Sequence, residues 1–101
     1  MKLLTKALEK ALPPLYSQED VEDPMVLAHF FNPSGAGDWY ICEGGRDGDD
    51  YRMFGLCDLG WPELGYVSLN ELSGVRGPFG LGIERDRFWT PKRLSEIKEE
   101  T

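Results

Sequence analysis

Leu4, Leu8 and Leu12 recur every four residues, with Ala7 and Ala11 beside them. That stripe predicts a short amphipathic helix. Thr5 is placed to cap its start. Pro13-Pro14 ends it, because proline has no N–H and its ring clashes with the preceding turn. Ser17 to Pro24 is acidic and aperiodic, and reads as a loop. Then the pattern changes. Met25 to Phe31 (MVLAHFF) reads as a strand, followed by the turn chemistry of Asn32-Pro33-Ser34-Gly35. Asp38 to Glu43 and Tyr51 to Asp58 read as two further strands. Gly44 to Asp50 (GGRDGDD) reads as a long mobile connection between them. Pro62 to Val67 reads as a fourth strand.

Helix signals return after Val67. Ser68-Leu69-Asn70-Glu71 fits a capping box, with Val67 and Leu72 at the staple positions. Gly74 suits the stop. Gly77, Gly80 and Gly82 punctuate an irregular connection, and Ile83 to Trp89 is extended. Thr90-Pro91 reads as a second helix start, with Pro91 at the first helical position. Trp89 and Leu94 take the staple positions, and Leu94 and Ile97 continue an apolar stripe. The sum is an α+β fold: a small, mainly antiparallel sheet of roughly three to five strands. Short helices stand at the N-terminus, the middle and the C-terminus.

Length and composition set bounds on this picture. A chain of 101 residues predicts one domain. A hydrophobic content of 41% and an aromatic content of 12% argue against disorder. No apolar run approaches the ~18 residues that span a bilayer. The lysines spaced through MKLLTKALEKALPPL argue against a secretory signal. Cys42 and Cys57 imply no disulfide framework, so a cytoplasmic setting is expected. The net charge of −7 is uneven. Ser17 to Asp50 holds nine acids against one base, Arg46. Four of the six arginines, Arg76, Arg85, Arg87 and Arg93, stand close together near the C-terminus. Direct nucleic-acid binding is disfavoured, because phosphate contacts need local positive charge. A polarised surface suits a charged protein partner.

Candidate chemistry is sparse. His29, the single histidine, lies between apolar residues and reads as a packed or hydrogen-bonded side chain. No serine sits in a nucleophile elbow. The cysteines lack zinc or redox spacing. With a turn near Asp47, Cys42 falls opposite Arg52, and both thiols read as buried and inert. Asp47, Asp49 and Asp50 lack the calcium-hand pattern and read as a solvated turn. Gly77-Pro78-Phe79-Gly80 superficially resembles a Gly-x-x-Gly clamp. Its Pro and Phe favour a tight turn that docks Phe79 into the core. Pro13-Pro14-Leu15-Tyr16 matches a short proline motif read by WW-type modules. A helix stop followed by two anchoring side chains accounts for it more simply. Glu63, Glu71 and Glu84 are the acids to inspect for a hydrolytic pair. The run Glu84-Arg85-Asp86-Arg87 gives neither strand face a clean core pattern. It reads as a charge-protected edge strand, an ion-pair network with Arg76, or a contact surface.

The segments LLTKALEKALPPLY, DPMVLAHFFNP, DWYICEG, MFGL, ELGYVSLNEL and RGPFGLGIERDRFWTPKRLSE together resemble a bacterial family catalogued as domain of unknown function 2958. Its most specific parts are Leu12-Pro13-Pro14-Leu15-Tyr16, Glu63-Leu64-Gly65-Tyr66 and Ile83-Glu84-Arg85-Asp86. Met53-Phe54-Gly55 departs from the two aromatics often present before that glycine, and Ser73 stands where an acid is frequent. The resemblance implies small cytoplasmic accessory proteins of plasmids, conjugative elements and phages. It carries over no catalytic residue.

These readings point to a non-enzymatic protein-interaction module. Its candidate surface is Arg76, Glu84, Arg85, Asp86 and Arg87, formed or flanked by Trp61 and Trp89. Arginine beside tryptophan is hot-spot chemistry. No catalytic residue, metal ligand or cofactor is assigned, and the expected partner is another protein. One alternative is a small hydrolase using Glu84 or Asp86 with an arginine clamp on an anionic substrate. Another is an acidic decoy imitating nucleic acid, built on Glu19 to Asp50.

Overall fold

The sheet grows from one long hairpin, β3 (Asp38–Asp47) and β4 (Asp50–Asp58). Gly48 and Asp49 form its two-residue turn, with Gly48 at φ +61. Primed hairpin turns require that positive φ, which glycine adopts without a steric cost. A computed structural model describes residues 2–100. Around the hairpin lie β2 (Ala28–Phe31), β5 (Pro62–Ser68) and β6 (Glu84–Arg85), giving an antiparallel sheet in the order β5-β4-β3-β2-β6. A two-stranded ribbon joins β1 (Met25–Val26) to β7 (Lys92–Arg93). The helices are α1 (Lys6–Ala11), α2 (Leu69–Gly74) and α3 (Leu94–Glu100). The architecture is α+β.

One face of the sheet packs against α1 and α2. Ala28, Phe30, Trp39, Ile41, Tyr51 and Met53 meet Leu3, Leu4, Leu12 and Leu72 there. The α1 stripe thus supplies core residues, and Thr5 caps the helix by accepting from the Leu8 N–H at 3.1 Å. The opposite face is covered by the ribbon and α3. Its core joins Val26, Cys42, Leu56, Leu94 and Ile97, with Tyr40 and Trp89 packed alongside.

A β-bulge connects the two faces. Ile41 pairs with Gly55 and Glu43 with Phe54, so Cys42 is the extra residue. The bulge turns Cys42 and Glu43 both to the ribbon face. Gly55 is the residue that permits it: a Cβ there would lie 1.8 Å from the Tyr40 carbonyl oxygen. The expected pairing of Cys42 with Arg52 is wrong for a separate reason. The turn falls at Gly48-Asp49 and not at Asp47, so Arg52 faces Gly45, and Cys57 faces Trp39.

Several expectations change for physical reasons. Gly44 to Asp47 is strand, not a mobile connection. Its glycines make room for neighbouring side chains: a Cβ on Gly44 would strike the Tyr51 ring at 2.5 Å, and one on Gly45 would meet Leu15 at 3.2 Å. Met25 to Phe31 divides at Leu27 as the chain passes from the ribbon into the sheet. Thr90-Pro91 does not open α3. Lys92 and Arg93 first pair with Val26 and Met25, and the helix starts at Leu94. Gly74 closes α2 from within, without a positive φ.

Candidate functional site

The charged run splits at the end of β6. Phe30 pairs with Arg85 and Phe31 with Glu84. Strand alternation sends Arg85 to the helical face. There its guanidinium donates to the Lys2 and Leu3 carbonyls at 2.6 and 3.1 Å. Asp86 turns to the ribbon face, and its N–H donates to the His29 carbonyl at 2.9 Å. One Asp86 carboxylate oxygen accepts from the Phe88 N–H at 3.0 Å, and the Asp86 carbonyl accepts from the Trp89 N–H at 3.3 Å. This turn ends the extended run that the sequence suggests through Trp89. It holds Phe88 out in solvent at 93% exposure. Trp89 folds back, donating its indole N–H to the Val26 carbonyl at 3.0 Å. The Lys92 ammonium lies 4.9 Å from its ring centre.

His29 anchors this turn. Its Nε2 is 2.7 Å from an Asp38 carboxylate oxygen, and its Nδ1 is 3.4 Å from Asp86. The ring stacks on Tyr40 at 4.7 Å and tilts against Trp89 at 5.3 Å. A general base needs a ring nitrogen aimed at substrate. Here both nitrogens face carboxylates of the fold, and both Asp86 oxygens have partners. The cluster fastens the β6 edge onto β2 and β3.

Glu84, half-buried, is the wall shared by two shallow hollows. The first, about 370 Å³, is bordered by Arg76, Leu81 and Ile83; the second, about 290 Å³, by Phe31, Arg87 and Phe88. Arg76 closes the end of α2 by donating to the Ser73 and Val75 carbonyls at 2.8 and 2.7 Å. Beyond it, Gly77 donates to the Leu81 carbonyl at 2.7 Å, closing a loop on its own backbone. Phe79 sits at the tip with φ +62 and is wholly exposed. The expected docking of Phe79 into the core is therefore wrong. The Gly77–Leu81 closure and the left-handed backbone aim the ring outward.

Residues 3–100 match the family described as Protein of unknown function (DUF2958). The chain belongs to that family. No curated protein and no solved structure matches it. In this DUF2958 chain the suggested surface residues do not form one patch. Arg76, Glu84, Asp86 and Arg87 lie along the β6 edge. Arg85 lines the second hollow beside them while its guanidinium holds the N-terminal segment. Trp89 is half-buried against His29 and Tyr40. Trp61 precedes β5 at the opposite sheet edge, about 19 Å away by four strand spacings. Glu63 (β5) and Glu84 (β6) stand at opposite edges of the sheet, and Glu71 lies on α2. Among the described residues no group of three His, Cys, Asp or Glu could hold a metal, and no helix is long and apolar enough to cross a membrane.

The sequence reading missed Glu43. Fully buried in the DUF2958 chain, its carboxylate accepts the Tyr16 and Gln18 N–H groups at 2.6 and 2.7 Å. An acid ending the apolar run DWYICEG was the available signal. The proline motif is anchored here too, since the Pro13 carbonyl accepts from the Gly44 N–H at 3.0 Å. Burial, with Glu43 beside it, pushes the Cys42 thiol up to about 12, and burial also raises Cys57. Neither thiol has the thiolate character of a nucleophile.

Proposed function

We propose that this DUF2958 protein is a non-catalytic protein-interaction module whose contact surface runs along the β6 edge. Two aromatic rings held in solvent by hydrogen-bonded turns carry the reading, Phe79 at 100% and Phe88 at 93% exposure. A fold that buries Phe30 completely gains nothing from exposing these two. A left-handed non-glycine residue at the tip adds backbone strain of order 1 kcal/mol, and such outliers concentrate at functional sites. The hollows on either side of Glu84 offer concave neighbours to the two rings, with Arg87 at the rim. Aromatic and arginine side chains dominate contact energies at protein interfaces.

The engagement of His29 and Asp86 within the fold gives the hydrolase alternative little support. The acids of residues 19–50 do not favour a decoy either. Asp23, Asp38, Glu43 and Asp50 serve internal hydrogen bonds instead of a regular outward array. The accessory role on mobile elements implied by the resemblance belongs to the same proposal.

The test is affinity capture from the native host with wild type and a Phe79→Ser/Phe88→Ser variant, each checked for folding by circular dichroism. The expected result is a partner held by wild type and weakened at least about tenfold in the variant. Undiminished capture by the folded variant, or no capture by wild type, overturns the proposal.

A further inference from the structure

The sheet's other edge carries a separate inference. Strand β5 is seven residues long, whereas the β6 edge has two. A free edge presents unpaired N–H and C=O groups, and monomeric proteins guard such edges with charge, proline, bulges or cover. On β5 the guards are confined to Pro62 and Glu63. The centre, Leu64-Gly65-Tyr66-Val67, has none of its own, and its register against β4 is regular from Arg52/Ser68 to Asp58/Pro62. The Tyr66 hydroxyl donates to Glu19 and the Arg52 guanidinium lies 5.8 Å from its ring centre, both on the face and not along the edge backbone. Leu64 and Tyr66 are 48% and 39% exposed on the ribbon face, next to Leu56 and Phe54. Tyr16, 56% exposed, rests on Tyr66 with ring centres 5.8 Å apart. Trp61 stands at the same edge, 69% exposed.

The geometry points to a second copy of this chain as the occupant, joined β5 to β5 in antiparallel fashion about a two-fold axis at Gly65. That axis sets Leu64 opposite Tyr66 of the second copy, Glu63 opposite its Val67, and Pro62 opposite its Ser68. Among these opposed β5 pairs no charge meets a like charge. On the ribbon face an apolar row then runs unbroken across the seam: Leu56, Leu64, then Tyr66 and Phe54 of the second copy. Gly65 meets itself at the axis, and a Cβ built there touches nothing within 4 Å in the single chain. The row is thus self-complementary, as a two-fold interface requires. Weighted by their exposure, Tyr16, Tyr66 and Trp61 offer roughly 350 Å² per copy. The edge backbone, Leu59 and Leu64 bring this toward the ~800 Å² per partner of a stable interface. This pairing leaves the β6 edge free, so it stands or falls independently of the proposed partner surface.

Sedimentation velocity on the full chain, from about 1 to 200 µM, reads the association directly. The expected result is reversible dimerisation of wild type, with Leu64→Lys shifting the midpoint upward at least about tenfold. Trp61→Lys, on a more exposed side chain, repeats the test should Leu64→Lys fail to fold. Amide exchange at Gly65 to Val67 should slow as wild-type concentration rises. A wild-type chain monomeric throughout overturns the inference, as it would if β5 served a foreign strand. Dimerisation unchanged in the folded variants overturns it too, by moving the interface elsewhere.

Discussion

Glu43 shows how one residue organises the chain around it. The carboxylate is removed from water, so its charge must be met by hydrogen-bond donors. The two N–H groups it accepts belong to residues 25 and 27 positions earlier. Tyr16, which donates one of them, adopts φ +70. The bulge at Cys42 aims the carboxylate toward this loop, and Gly55 permits the bulge. Glu43→Ala leaves two backbone donors without acceptors, and the expected loss is about 2–4 kcal/mol of unfolding free energy. Urea titration measures it, and a loss below about 0.5 kcal/mol would show that water replaces the carboxylate. The apolar pattern marks residues 38–43 as strand but holds no sign of the bulge. Pattern reading assigns alternate faces, and the bulge resets the alternation through a backbone contact between Tyr40 and Gly55.

Among the elements, α2 and α3 borrow caps from distant segments. Asp50 accepts from the Ser68 hydroxyl and from the Asn70 N–H at 3.0 Å, joining the hairpin turn to α2. Asp23 accepts from the Ser95 N–H and hydroxyl at 2.9 and 2.8 Å at the start of α3. Hydrogen bonds from Ser68 and Asn70 hold the Asp50 carboxyl below its ordinary range, and those from Ser95 do the same for Asp23. A carboxyl with a lowered folded-state pKa binds its proton less readily when folded. Its contribution is therefore complete above the unfolded value and is lost as pH falls through about 4 and below. Stability should decline on that acid limb, and Asp50→Asn should flatten it while lowering the plateau above. Urea midpoints measured from pH 2 to 7 test this, and an unchanged acid limb would assign the decline to other carboxylates. The local half of the α2 signal was legible: Ser68 accepts from the Glu71 N–H at 3.1 Å, as the capping box predicts. The Asp50 half was not, because its partners stand 18 and 20 residues away. The glycines at 44 and 45 misled in the same way. Flexibility is their local meaning, while the space they leave for Tyr51 and Leu15 belongs to the tertiary structure.

At the scale of the molecule, arginines with similar sequence neighbourhoods take opposite roles. Composition placed Arg85 and Arg87 on one candidate surface, and α+β class and element types were readable from periodicity and turn chemistry. The β-sheet order was not, and it decides which arginine faces outward. Because β6 adds next to β2, Arg85 reaches across to the N-terminal segment, 82 and 83 residues back in sequence. Hydrogen bonds to the Lys2 and Leu3 carbonyls hold Leu3 and Leu4 over the sheet, and thereby α1 over the first core. Arg87 lies past the Asp86 turn and is exposed. Arg85→Ala should therefore cost about 1–3 kcal/mol and raise amide exchange through α1. Arg87→Ala should stay within about 0.5 kcal/mol of wild type while weakening partner capture. Thermal unfolding and exchange mapping of both variants separate the roles. Equal stability of the two would return Arg85 to the surface, and the β6 edge would then present a wider basic patch around Glu84.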